Sequence, residues 1–161
     1  MFNLKAEFYL KIIFLFSLIA LISTFFIEYV LGHQPCNLCL IERIPYGLSI
    51  MIIMAIFLIR KNQKFLVMLL ILTFIFSLAI SFYHFGIEQG FFQESSVCGV
   101  KSSTEIVTKE DLLKQLSEKT ISCKDVTFRI FGLSLTSINI VISLLFIITL
   151  LKIFKKYEKN K

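Results

Sequence analysis

The chain has 161 residues, 57% of them hydrophobic, a mean hydropathy of +0.82 and a net charge of +6. Soluble domains of this length are nearer about 45–50% apolar, so the composition excludes an ordinary soluble domain. The positive charge collects at the ends of apolar runs and reads as membrane topology, with no need of a nucleic-acid partner.

Four helices are predicted in chain order, over residues 12–31, 40–59, 65–85 and 131–151. A span takes about 20 apolar helical residues, with a range of about 17–25. The first run is too long for a signal-peptide core, and no Ala-x-Ala-like site follows it, so it is read as a retained helix. The second run is strongly apolar only from Ile44 and reaches spanning length by extending back over Leu40 to Arg43. Charged groups at such an end reach the headgroups. The whole chain, 1–161, is expected to form one integral membrane domain, an all-α, four-helix transmembrane bundle with a short first outer loop (32–42) and a long second one (86–130).

Lys5 and Lys11, then Arg60, Lys61 and Lys64, then Lys152, Lys155, Lys156, Lys159 and Lys161 fall on one side of this arrangement. The positive-inside tendency makes that side cytoplasmic, with both termini there. The basic tail is then a membrane-surface anchor. The tyrosines Tyr9, Tyr29, Tyr46, Tyr83 and Tyr157 lie near helix ends, as an interfacial belt would. Within the second outer loop, 108–119 reads as a short amphipathic helix. Thr108 can cap it, and Val107 can staple onto Leu112. Such a helix suits either the bilayer surface or the loop's own small core.

All four cysteines, Cys36, Cys39, Cys98 and Cys123, fall on the outer side, where disulfides persist. Three readings compete for the Cys36-Asn37-Leu38-Cys39 element: an inert bridge, half of a zinc site, or a redox-active pair. A bridge over so short a loop constrains little. The separation of Cys98 from Cys123 is unlike the paired spacing of structural zinc elements. Spacing and topology therefore favour the redox reading, with no metal. Cys39 near a helix start would have its thiolate stabilised by the helix dipole. Arg43 follows Cys39 by one helical turn and so shares its face. It would polarise a carbonyl oxygen or stabilise a thiolate, the alternative being a headgroup anchor paired with Glu42. His84, at the end of the third helix, is open to proton transfer, to ligand binding or to a simple anchoring role.

The run Pro35-Cys36-Asn37-Leu38-Cys39-Leu40-Ile41-Glu42-Arg43, the run Tyr83-His84-Phe85-Gly86-Ile87-Glu88, the Cys98 and Cys123 pair, and Gly132-Leu133-Ser134-Leu135 together resemble the disulfide bond formation protein B (DsbB) family over nearly the whole chain. The resemblance implies a multi-pass protein of the bacterial inner membrane with periplasmic cysteines. It implies an enzyme that reoxidises a periplasmic DsbA-like thiol oxidase and passes electrons to a membrane quinone, ubiquinone or menaquinone. It further implies that Cys36 and Cys39 are the quinone-coupled pair, with Cys39 reaching the quinone. Arg43 and His84 would be quinone-site residues. Cys98 would bond to the partner, and Cys123 would attack Cys36. Vitamin K epoxide reductase is a similar quinone-linked thiol enzyme, but its loop cysteines precede the Cys-x-x-Cys, the reverse of the order here. A membrane thiol carrier would hold its cysteines inside spans, and a non-enzymatic scaffold with structural disulfides would leave secretory thiols unaffected when lost.

Overall fold

The computed structural model describes residues 4–59, 62–93, 98, 123, 129–130 and 133–159. The expected helix at 108–119 lies outside these residues. Four long helical segments, Ala6–Tyr29, Asn37–Leu58, Gln63–Glu88 and Leu135–Lys156, are long and apolar enough to cross a membrane, and the chain is a membrane protein.

The first helix, α1, runs Leu4–Tyr29, starting earlier than the apolar run because Glu7 and Lys11 are accommodated on it. The second span is built in two pieces. The short α2 covers Asn37–Ile41 and α3 covers Arg43–Leu58, with Glu42 as the joint. Pro45 explains the break: it has no N–H to return to Ile41, so the ladder is interrupted there. The helix nevertheless begins at Asn37, which supplies the length that the apolar run alone lacks.

Helix α4 spans Gln63–Glu88 and ends in a Schellman turn. Phe91 N–H donates to Gly86 O at 2.8 Å and Gly90 N–H to Ile87 O at 3.0 Å, with Gly90 at φ 77°. The turn folds the Phe92 ring over Gly86, where any Cβ would collide with it, and onto Tyr83 at 5.7 Å between ring centroids.

A two-residue antiparallel ladder, β1 (Arg129–Ile130) with β2 (Leu133–Ser134), precedes the last helix, α5 (Leu135–Lys159). The helix therefore starts later than the expected 131, displaced to Leu135 by the hairpin, and Ser134 caps it by accepting from Ser137 N–H at 3.2 Å.

Helix α4 is central, packing on both α3 and α5, and α1 closes the bundle against α3. One buried cluster fills the middle: Leu10 and Ile13 of α1, Ile53 and Ile56 of α3, Leu70 and Phe74 of α4, and Leu150 of α5. Phe74 meets Phe146 edge-on at 5.0 Å. Leu15, Ile19, Met51, Leu72, Phe76 and Leu145 point outward, the pattern of a surface solvated by lipid tails.

The helix interfaces also carry small polar residues. Ser49 donates to Ser17 at 3.0 Å between α3 and α1, and Ser143 to Ser77 at 3.3 Å between α5 and α4. Small side chains let membrane helices approach closely and bond across the gap. Tyr46 belongs with them: it is buried and donates to Asn139 Oδ1, so it is a core residue and no part of an interfacial belt. Tyr9 and Tyr29 are exposed, as the belt requires.

Asn139 joins three helices by accepting from Tyr46 and donating to Ser81 Oγ at 2.7 Å. Removing it strands both partners in an apolar interior, so Asn139→Ala is expected to cost about 1–2 kcal/mol. Ser143→Ala, whose bonds measure 3.3 and 3.5 Å, should cost less than about 0.5 kcal/mol. Denaturing-detergent titration followed by circular dichroism measures both; equal losses would mean that Asn139 is no special tie.

Candidate active site

Cys36 is the N-cap of α2, and its Sγ accepts from Cys39 N–H at 3.4 Å. The two sulfurs are 2.9 Å apart as free thiols, one helical turn from each other. The helix-start position expected for Cys39 thus belongs to Cys36, while Cys39 lies within the first turn. Cys36 is buried, 7% exposed, and Cys39 is partly exposed.

Behind Cys36 stands His84. Its Nε2 is 3.6 Å from Cys36 Sγ, and its Nδ1 is 3.0 Å from Glu42 Oε1. At 2% exposure this residue is an interior group and no interfacial anchor. The Glu42 joint aims its carboxylate inward, where Oε2 also accepts from Asn139 Nδ2 at 3.4 Å. One turn past His84, Glu88 sets Oε1 3.8 Å from Nε2 and accepts there from Thr136 at 2.8 Å. A charged group inside a membrane bundle marks a functional site by default. Here two carboxylates flank a histidine whose Nε2 faces one sulfur.

On the other side of the pair lies a cavity of about 240 Å³. Phe16, Leu21, Ile27 and Ile142 give it apolar walls, and Cys39, Glu42, Arg43, Tyr46 and Asn139 are among its polar lining residues. Arg43 is held there by Glu28 at 2.5 Å and lies over the Phe25 ring, 5.2 Å from its centroid. The expected alternative partner, Glu42, is engaged with His84 instead. The structure thus brings Cys39 and Arg43 to one cavity. His84 is not among its lining residues.

Cys98 and Cys123 are bonded as a disulfide, with Cα atoms 5.6 Å apart. They join Cys36, Leu38 and Ile87 in a second buried cluster, against which Cys39, Ile41 and Tyr83 pack. The four cysteines are therefore one local assembly, with the outer pair oxidised and the inner pair reduced.

Glu28, Glu88, Thr136 and Asn139 are members of the site that sequence alone does not single out. Their available signal is polarity within or beside an apolar span. Which of them faces Cys36, and which the cavity, depends on helix rotation.

With Cys39 as donor, its hydrogen bond holds the Cys36 thiol down to about 4, against the opposing effect of burial and with help from His84. The thiolate is thus the resting form of Cys36 at neutral pH. Its stabilising contribution to the reduced protein is present above the ordinary thiol range. It diminishes as pH falls from there and is lost on passing through about 4. In reduced protein carrying Cys98→Ser and Cys123→Ser, the ultraviolet absorbance of a single thiolate should disappear on acidification through about pH 4. Adding Cys39→Ala should move that transition up the most, and His84→Gln second. A transition at about 8.5, the value of an ordinary thiol, would show that neither bond forms.

A family model for the disulfide bond formation protein DsbB matches residues 6–153. An uncharacterized protein of Rickettsia prowazekii (strain Madrid E) is 31% identical over 147 residues, covering 90% of this chain and 86% of its own length. The match takes in the first three spans, most of the fourth and both cysteine pairs, and the chain belongs to the disulfide bond formation protein DsbB family.

Proposed function

We propose that this protein is a quinone-dependent thiol oxidase of the bacterial inner membrane. It draws electrons from a periplasmic DsbA-like partner through Cys98–Cys123, then through Cys36–Cys39, to a quinone in the cavity beside Cys39. The observation that carries this reading is the sharing of one apolar cavity by Cys39 and Arg43, with the Cys98–Cys123 disulfide packed in the same buried cluster as Cys36. Membership of a generally quinone-linked family supports it. The Lys/Arg distribution supports cytoplasmic termini and periplasmic cysteines.

The cavity fits a ring head group. Its walls are mainly apolar in exposed area, with polar side chains, Arg43 among them, set into the lining, as in most small-molecule sites. Bound there, a quinone supplies a two-electron oxidant, taking two electrons and two protons as two thiols become a disulfide. Arg43 holds a fixed positive charge and a fork of donors toward the cavity, kept in place by Glu28 and Phe25. Cys39 is the sulfur on the cavity wall. His84 and Glu42 serve Cys36: His84 Nε2 holds or releases the proton at Sγ, and Glu42 keeps the ring oriented through Nδ1.

In the relay, a partner thiolate attacks Cys98 and the Cys98–Cys123 bond breaks, releasing Cys123 as a thiolate. With the inner pair oxidised, Cys123 then attacks Cys36, and Cys39 leaves as the thiolate. The partner's second thiolate then releases Cys98, which attacks Cys123 and frees Cys36, so the partner leaves oxidised and the inner pair is reduced; each exchange breaks one S–S bond and forms another.

Two measurements test this. Arg43→Met should insert normally yet lower quinone turnover about 10–100-fold, the loss of a charge-assisted contact of about 1.5–3 kcal/mol. Arg43→Lys should rescue in part, lacking the planar fork. Unchanged kinetics, followed by quinone absorbance with purified protein and reduced partner, would leave Arg43 a headgroup anchor. In the second, a partner without its resolving cysteine should be trapped on Cys98 even when Cys36 and Cys39 are both Ser. Trapping on Cys36 of the otherwise intact chain in preference to Cys98 would reverse the order of the relay.

A further inference from the structure

The reduced pair also has the makings of a metal site. Cys36 Sγ, Cys39 Sγ and a ring nitrogen of His84 all lie within 4.8 Å of one another. A Cys-x-x-Cys turn with the first sulfur at the helix cap, receiving an N–H from the second cysteine, presents two sulfurs to one point. A second, independent observation points the same way. Glu88 is 5% exposed, sets Oε1 3.8 Å from His84 Nε2, and among the described residues its Oε2 is buried without a hydrogen-bond partner. A buried orphan carboxylate oxygen is costly, and a cation beside it removes the cost.

The distances suit a tetrahedral ion of the zinc class. With Zn–S of about 2.3 Å and Zn–N or Zn–O of about 2.0–2.2 Å, tetrahedral edges are about 3.8 Å for S–S, about 3.6 Å for S–N and about 3.4 Å for N–O. The observed separations are 2.9 Å between sulfurs, 3.6 Å from Cys36 to Nε2 and 3.8 Å from Nε2 to Glu88 Oε1. Each is within an ångström of its edge, and the sulfur pair needs only to open, as side-chain rotation of the partly exposed Cys39 permits.

We infer that the reduced protein binds one thiophilic divalent cation of the Zn²⁺ class through Cys36 Sγ, Cys39 Sγ and His84 Nε2, the three groups already within 4.8 Å of one another, with Glu88, beside His84 but outside that group, rotating in as the fourth ligand. Binding forms two metal–sulfur bonds, one bond to His84 Nε2 and one to a carboxylate oxygen, and any proton on Nε2 leaves to bulk water before that nitrogen can bind. Every proton still on the two sulfurs leaves to bulk water, and nothing is oxidised. His84 keeps its Nδ1–H on Glu42, the second-shell arrangement that metal-bound histidines favour. Oxidation to the Cys36–Cys39 disulfide removes two of the four donors, so the site exists only in the reduced state. Occupancy holds both sulfurs on a redox-inert ion and takes that state out of thiol–disulfide exchange.

The test is a titration of Zn²⁺, and of Co²⁺ as a spectroscopic probe, into full-length Cys98→Ser/Cys123→Ser protein in detergent. No quinone or partner is present, so the outcome is independent of the proposed relay. Reduced protein should take up one ion per chain with thiolate-to-cobalt charge transfer and tetrahedral d–d bands, and the oxidised form of the same preparation should take up none. His84→Ala should weaken binding on the order of 100-fold, and Glu88→Gln about tenfold. X-ray absorption of the Zn²⁺ complex, which needs no variant in the bundle core, should show two sulfurs and two lighter ligands. Binding that survives oxidation, a sulfur-only shell, an ion bridging two chains, or unchanged affinity in His84→Ala with normal helical content would each overturn the inference.

Discussion

A carboxylate and an imidazole stand 3.0 Å apart between helices packed mainly through apolar side chains, and most of the site's geometry follows from satisfying them. Neither Glu42 nor His84 is tolerable alone in such a place, because the interior offers no water to either. Paired, they fix the rotation of α3 against α4. Asn139 and Thr136 extend the arrangement to α5, and Tyr46 adds a further tie between α3 and α5. Once those rotations are set, Cys36 has His84 at its back and Arg43 is turned toward Glu28 and the cavity.

The break in the second span serves the same end. Pro45 interrupts the helix at Glu42, and the joint lets consecutive residues serve different partners. Glu42 pairs with His84 and Arg43 with Glu28, and both residues line the cavity. The two cysteines divide in a similar way. Cys36 caps the helix, takes hydrogen bonds and sits beside the outer disulfide, whereas Cys39, one turn on, forms part of the cavity wall. The sulfur pair is thus a bridge between two environments, one polar and titratable, the other apolar and suited to a lipid-soluble ring.

The same chemistry that makes this pair reactive makes it a good ligand set. A lowered thiol with a neighbouring imidazole holds Cys36 in the nucleophilic form that enters thiol–disulfide exchange. Thiolate and imidazole equally favour a soft or borderline cation. A dithiol site at a membrane edge therefore has two fates in its reduced state, oxidation or metal capture, and they exclude each other because they use the same sulfurs.

Much of this was legible in the residues themselves. Four apolar runs of spanning length require four helices, since the bilayer core accepts little else. The Cys-x-x-Cys run at a helix start fixes the inner pair, and the turn between Cys39 and Arg43 fixes their shared face, because both depend on spacing of a few residues. Periodicity and composition carry no information on what lies across a helix interface. That Arg43 answers to Glu28, that His84 is buried against Cys36, that Tyr46 is core, and that the dipole position falls to Cys36 all depend on how rigid helices rotate against one another. The start of α5 belongs here too, since a two-residue ladder with β1 displaced it to Leu135. Local spacing is written along the chain, but the pairing of groups separated by 15 to 97 residues is decided by packing.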